Sequence, residues 1–406
     1  MKGERVLITG IGAVSAIGLG ANRLFEGALS CRSGVRPWPD ASSRWVAATI
    51  PESGSLCCMP ALPTNLDRHV AIASLAIREA MQDARLEPLS QDRSERSGAY
   101  WGTGAGSAAT VEDSYARLHA DQRIRPLTVL LGMQNAALAQ IAVEFGLRGP
   151  QLAVSQACAS AAAAIGEALL ALRWGRADRI IVGGSDAPVV RSQLLAWESL
   201  RVLARRDDDV PEQSCRPFDR RRSGLVLGEG AAAFVLERES VAAARGAPVH
   251  AELCGYGNAG DASHYAKPDP DGQARAMKQA LADAGLAPED IGYLNAHATA
   301  TGVGDVSEAE AIRRVFAESR TMPAVSSTKA IHGHTLGAAG ALELAVAVLA
   351  LERGCLPPTA HLEIPNVEGL DLVHGAPREC SIEAAMSNTF AFGGSNVSLA
   401  VRRYTD

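Results

Sequence analysis

Two kinds of apolar run alternate along the chain, and their order predicts strands followed by helices. Short apolar stretches at residues 5–9, 99–102, 152–155, 291–294 and up to 325 have the length and bounding turns of buried strands. Stretches at 76–88 and 276–288 place apolar residues at helical spacing and stop at a turn. The stretch 161–172 is almost wholly small and apolar, and 338–353 is Ala-rich, so both predict helices that are buried. Strand and helix in alternation point to an α/β fold.

The pattern repeats. Residues 76–88 and 276–288 share Ala76/Ala276, Ala80/Ala280, Asp83/Asp283, Ala84/Ala284, Leu86/Leu286 and Pro88/Pro288, and each leads into a predicted strand. Residues 155–175 and 326–354 echo each other as strand end, turn and Ala-rich helix finishing at Gly. Two duplicated halves, 1–246 and 247–406, would stack their sheets around a shared layer of buried helices. The charged stretch 205–223 then reads as an excursion within the first half.

Composition narrows the function. A chain of 406 residues exceeds one ordinary core, and few aromatics with abundant Gly and Ala suit close packing. A formal charge of −6 argues against nucleic acid as partner. Eight cysteines form no metal pair and no disulfide framework, and Cys57 and Cys58 are adjacent; reduced thiols in a cytoplasmic protein are expected. Lys2 and Arg5 precede an apolar run, but Gly10, Gly12, Gly18 and Gly20 break it, against a signal peptide. No stretch reaches the ~20 apolar residues of a membrane helix. Gly10-Ile11-Gly12 after a strand resembles a dinucleotide fingerprint, yet Ser15 stands where its third glycine belongs. Residues 10–15 read instead as a Gly-rich turn.

Chemistry collects at the strand ends. Cys158 lies between a strand and a helix, where free N–H groups favour thiolate and could steady an oxyanion; a space-filling buried cysteine is the alternative. His297 follows the strand 291–294, while Lys329, His332 and His334 follow the strand ending near 325. Each histidine alone could be structural, and the pair His332/His334 lacks the further ligands of a zinc site.

Four blocks carry a family resemblance: Ala157-Cys158-Ala159-Ser160; His297-Ala298-Thr299-Ala300-Thr301 with Gly304-Asp305; Lys329 through Gly333-His334; and Asn388-Thr389-Phe390-Ala391-Phe392-Gly393-Gly394-Ser395-Asn396. In order and spacing they resemble the β-ketoacyl-acyl carrier protein synthases, decarboxylating condensing enzymes of the thiolase superfamily. The resemblance implies a thiolase-like fold of duplicated halves in five layers, α-β-α-β-α. It implies that Cys158 takes an acyl chain from a carrier-protein thioester, and that His297 and His334 stabilise the enolate formed when a malonyl thioester loses CO2. The N–H groups of Cys158 and Phe392 would form the oxyanion hole. Lys329 would organise the cluster, supported by Asp305, Glu308 and Glu343; a surface lysine and ordinary acids are the alternatives.

The same resemblance assigns Thr299 and Thr301 to the phosphopantetheine arm, and Phe392 with Gly393 and Gly394 to a movable gate. Ala300 and Gly302 depart from the commoner Ser and Pro. Ala105, Trp197 and Glu198 fall where relatives build the acyl-pocket wall. An acidic carrier protein implies a basic dock, with Arg201, Arg205 and Arg206, then Arg220, Arg221 and Arg222, as candidates. The segment 63–69 resembles another docking region and offers Arg68. No metal or cofactor is implied beyond the carrier's own arm, and the partner would be a second copy or a related ketosynthase-like subunit. Polyketide or aryl-polyene synthesis, and a non-catalytic chain-length subunit, are the alternatives to fatty-acid elongation.

Overall fold

A computed structural model describes residues 3–39, 44–51, 65–86 and 91–405. Cys57, Cys58, Pro63 and Pro88 lie outside the described residues. The first half contributes β1 (Val6–Ser15), α1 (Arg68–Asp83), β2 (Ser97–Gly102), α2 (Ala136–Phe145), β3 (Gln151–Val154), α3 (Ser160–Arg173), β4 (Arg179–Asp186), α4 (Arg191–Ser199) and β5 (Gly230–Arg238). The second contributes β6 (Ala251–Gly260), α5 (Pro270–Ala284), β7 (Ile291–Asn295), α6 (Gly304–Phe316), β8 (Ala324–Ser326), α7 (Ala339–Arg353), β9 (Asp371–Leu372), β10 (Ala384–Ala391) and β11 (Ser395–Arg402).

The two halves repeat one topology. Strand order β3-β2-β4-β5-β1 in the first is matched by β8-β7-β10-β11-β6 in the second, where β9 adds an edge. In each, the first three strands of that order run parallel and the last two pair antiparallel. The sheets touch through a short β1–β6 pairing, Leu7 opposite Glu252 and Ile8 opposite Ala251. Helices α3 and α7 pack on each other and on strands of both sheets, while α1 and α2 cover one outer face and α5 and α6 the other. This is the thiolase-like five-layered arrangement. The inner layer explains the all-round apolar character of its helices, since neither has a solvent face.

The reading of residues 10–15 as a turn is corrected: they are the body of β1. Gly10 and Gly12 are needed because a Cβ there would lie 2.1 Å from Ala80 O and 2.0 Å from Ala76 O on α1. Gly255 and Gly257 on β6 meet Ala280 O and Ala276 O on α5 at 2.3 and 1.9 Å. Side chains of these helices accept from the same strands: Asp83 and Glu79 from Ile11 and Ala13 N–H, Asp283 and Gln279 from Tyr256 and Asn258 N–H. The repeated Ala and Asp positions are therefore the contacts that let a helix ride close on a strand. The stretch 205–223 reaches across to the other half, where Phe218 N–H donates to Asp305 and Arg222 to Thr301 O.

Candidate active site

Cys158 sits on a tight turn between β3 and α3. Ala157 has φ 48°, a left-handed conformation that costs a non-glycine residue energy. Ser160 holds the turn: its hydroxyl accepts from Gln156 N–H at 2.8 Å and donates to Ala157 O at 2.6 Å. The thiol is buried and faces an apolar cluster of Ala47, Val189, Leu194, Leu225, Leu227 and Leu336. Trp38, Trp45, Ala105 and Trp197 pack against that cluster.

The second half delivers both imidazoles to the same point. His334 Nε2 lies 3.1 Å from Cys158 Sγ, and the His297 ring meets His334 edge-on with centroids 5.3 Å apart. One ligating atom from each of the three residues falls within 4.8 Å of the others. Phe392 N–H is directed at the same sulfur. His332 is set apart: its ring nitrogens engage Thr328 Oγ1 at 3.0 Å and Gly333 O at 2.8 Å. The Cys–His–His spacing could bracket a metal, but the buried Lys329 charge beside it opposes a cation.

Lys329 is fully buried rather than a surface lysine, and its ammonium pairs with Glu343 of α7. Glu308 accepts from His297 N–H at 2.9 Å and Ala298 N–H at 2.7 Å, and Asn388 donates to it at 3.3 Å. Asp305 accepts from Phe218 N–H at 2.8 Å and lies 3.7 Å from the Arg222 guanidinium. Burial raises these carboxyls, Asp305 to about 6 and Glu308 and Glu343 to about 7, against the pull of N–H donors and cations. Burial first and Lys329 second hold His297 and His334 well below the ordinary imidazole value, so both are neutral at neutral pH.

Cys158 departs from the expectation of a favoured thiolate. Burial pushes its thiol up to about 12, and Lys329 with Phe392 N–H offsets only part of that. Desolvation outweighs the helix start because the sulfur is enclosed by apolar side chains.

A cavity of about 270 Å³ opens onto this cluster and is lined by Cys158, His297, His334, Thr299, Thr301, Trp197, Phe390, Phe392 and Gly394 among others. Thr299 and Thr301 hydroxyls are 3.2 Å apart at its mouth. Phe392 stacks on Trp197, centroids 5.8 Å apart and planes at 20°. Gly393 and Gly394 have φ 87° and 71°, which a side chain would resist. Ala105 donates its N–H to Asp186 at 3.0 Å. Glu198 does not line the cavity: its carboxylate accepts from Arg44 at 2.7 Å and from the Trp45 indole at 3.1 Å.

Among the dock candidates, Arg201 lines the cavity mouth and Arg205 is exposed, with Arg206 half-buried. Arg221 pairs with Asp219 and Glu363, and Arg222 is turned inward to Thr301 and Asp305. Arg68 is clasped by Glu229 and Ile50 O.

Sequence reasoning missed Asp186. Fully buried at the end of β4, it accepts from Thr103 Oγ1, three successive N–H groups at 104–106, and Gly337 N–H, at 2.7–3.1 Å. It ties together the loops flanking Cys158. The signal was an acid closing the strand that carries the apolar run 180–182.

Fold and site together define an acyl-transferring condensing enzyme of the thiolase-like type. The profile of the β-ketoacyl synthase N-terminal domain matches residues 3–242, and that of the C-terminal domain matches 250–363. The chain belongs to the β-ketoacyl synthase family. It is 38% identical to nodulation protein E of Rhizobium meliloti (strain 1021), with 98% of this chain and 99% of that one covered. It is 36% identical to 3-oxoacyl-[acyl-carrier-protein] synthase 2 of Staphylococcus aureus (strain COL), with 99% of each covered. A solved structure of the type II PKS complex AntDE:AntF, an acyl-carrier protein with its ketosynthase bound to the hexaketide, superposes with TM-score 0.91 at 27% identity, covering 99% of this chain and 100% of that one.

Proposed function

We propose that the protein condenses a Cys158-bound acyl chain with malonyl-acyl carrier protein, giving β-ketoacyl-acyl carrier protein and CO2, in fatty-acid elongation. The observation that carries this is the convergence of Cys158, His297 and His334 within 4.8 Å. Cys158 sulfur attacks the acyl thioester, its proton passing to the departing carrier thiol. Because the thiol is raised, it gives up its proton only as the S–C bond forms, with no base needed from the second half. The N–H groups of Cys158 and Phe392 hold the tetrahedral oxyanion.

In the second stage the malonyl C–C bond breaks to CO2, and the electron pair moves onto the thioester oxygen. Neutral His297 and His334 donate hydrogen bonds to that oxygen, which imidazoles poised below their usual pKa can do without carrying charge. The enolate carbon then attacks the acyl carbonyl, and Cys158 leaves as thiolate and regains a proton from solvent. Lys329 paired with Glu343 supports the potential in the site, while Glu308 and Asp305 fix the 297–305 loop.

Thr299 and Thr301 would bind the phosphopantetheine arm, and Gly393-Gly394 would let Phe392 move. We place the carrier-protein dock at Arg201, Arg205 and Arg206, and the division of the chain at 246/247. The intact trio speaks against a non-catalytic subunit; the type II polyketide likeness keeps that pathway as the second reading. A second copy or a related subunit is supported by the exposed edge strand β3 and by the exposed Tyr115, Leu118, Val129, Leu130 and Val143 of the same half. No metal or cofactor enters these steps. No helix among the described residues is long and apolar enough to cross a membrane. We place the protein in the cytoplasm, where cysteines such as the free ones among the described residues stay reduced. Incubation with acyl-carrier protein should leave an acyl adduct by intact mass, and added malonyl-carrier protein should release CO2; a wild-type protein that never acylates overturns the reading.

A further inference from the structure

Adjacent residues on α4 face different neighbours. Trp197 lines the cavity and stacks on Phe392, while Glu198 turns to the Arg36–Pro37/Val46–Ala47 hairpin and accepts from the Trp45 indole at 3.1 Å. Trp45 in turn packs on the apolar cluster that Cys158 faces. The hairpin continues into Ala48, whose N–H donates to Leu227 O at 2.9 Å. Leu227 is paired with His334, and Gly228 N–H donates to His334 O at 3.0 Å. One line of contacts therefore runs from Glu198 through Trp45 and Ala48 to the backbone of His334.

We propose that Glu198 is a positioning residue that sets the depth of the acyl pocket, by latching Trp45 as a fixed wall behind Cys158. This rests on Cys158 carrying the acyl chain. Each methylene an acyl chain buries adds to the hydrophobic gain, so a longer chain presses on any wall able to yield. With the indole N–H bonded to Glu198, displacing Trp45 breaks that bond and leaves the carboxylate to Arg44, and the wall resists. The Arg44 contact at 2.7 Å is outside this function, because Arg44 is largely exposed and such a pair is screened by water.

The test is the loading of Cys158 from a ladder of saturated acyl-carrier thioesters, short to long, read by intact mass over time. Glu198→Ala should raise the long-to-short ratio of loading rates about five-fold, the worth of one hydrogen bond. Trp45→Phe keeps the ring, removes the donor and should shift the ratio the same way. Glu198→Gln keeps an acceptor oxygen and should restore the wild-type ratio within about two-fold. Rates that fall equally for all chains, or a Gln variant that shifts as far as Ala, overturn the latch. Wild-type protein that loads no chain overturns the acyl-transfer reading itself, whereas loading with superimposable profiles overturns the latch alone.

Discussion

The turn after β3 and the turn after β8 occupy the same place in the two halves and do different chemistry. The first passes from Val154 to a helix at Ser160 and presents one atom, Cys158 Sγ, at the helix start. The second runs from Ser326 to a helix at Ala339, long enough to bury Lys329 against Glu343 and return His334 to the sulfur. Elsewhere the two halves share a contact, glycine on β1 and β6 against alanine carbonyls of the outer helices α1 and α5. Duplication preserved the scaffold. The chemistry differs at the connections, where added residues disturb no strand register.

The sharpest way to break that comparison is to strip the first turn. Cys158→Ala should remove the acyl adduct in intact mass and lower condensation by about four orders of magnitude. Stripping the second should leave the first step standing. In His334→Asn and His297→Asn, CO2 release should fall about 10²–10³-fold while Cys158 still loads acyl chain, followed by adduct mass and CO2 capture. Equal loss of both steps would erase the division of labour between the turns.

The shared scaffold can be tested separately. Gly12→Ala and Gly257→Ala each push a Cβ into a helix carbonyl, at 2.0 and 1.9 Å, so both should cost about 1–3 kcal/mol in urea unfolding, and by similar amounts. A large cost in one half alone would mean the halves are not held alike. The smallest effect concerns the clasp between them. His250 engages Asp83 of α1 at 2.7 Å and Glu352 of α7 at 3.1 Å. Burial opposes its charge, but these two acids raise its pKa to about 9. Its contribution is thus full below the ordinary value of 6.5 and lost as pH climbs through about 9. The melting temperature of wild type should fall over that window more than that of His250→Ala.

Much of this molecule was legible in the chain. Helices without a polar face at 161–172 and 338–353 had to be interior, and Cys158, His297 and His334 stood at strand ends where α/β sheets place their chemistry. Glu198 stands off the described cavity that Trp197 lines because neighbours on a helix are turned by ~100°. The glycines of β1 looked like a turn because nothing local reveals that a helix will press against them.

The sequence by itself determined the alternation of elements, the duplication and the reactive residue types, since these follow from local periodicity and side-chain chemistry. Only the tertiary structure decided the protonation state of the site. Burial drives the Cys158 thiol up and both imidazoles down, and desolvation depends on what the whole fold packs around a group. It likewise decided that residues 176 positions apart, Cys158 and His334, meet at 3.1 Å, because that contact exists only once the two halves close on their shared helices.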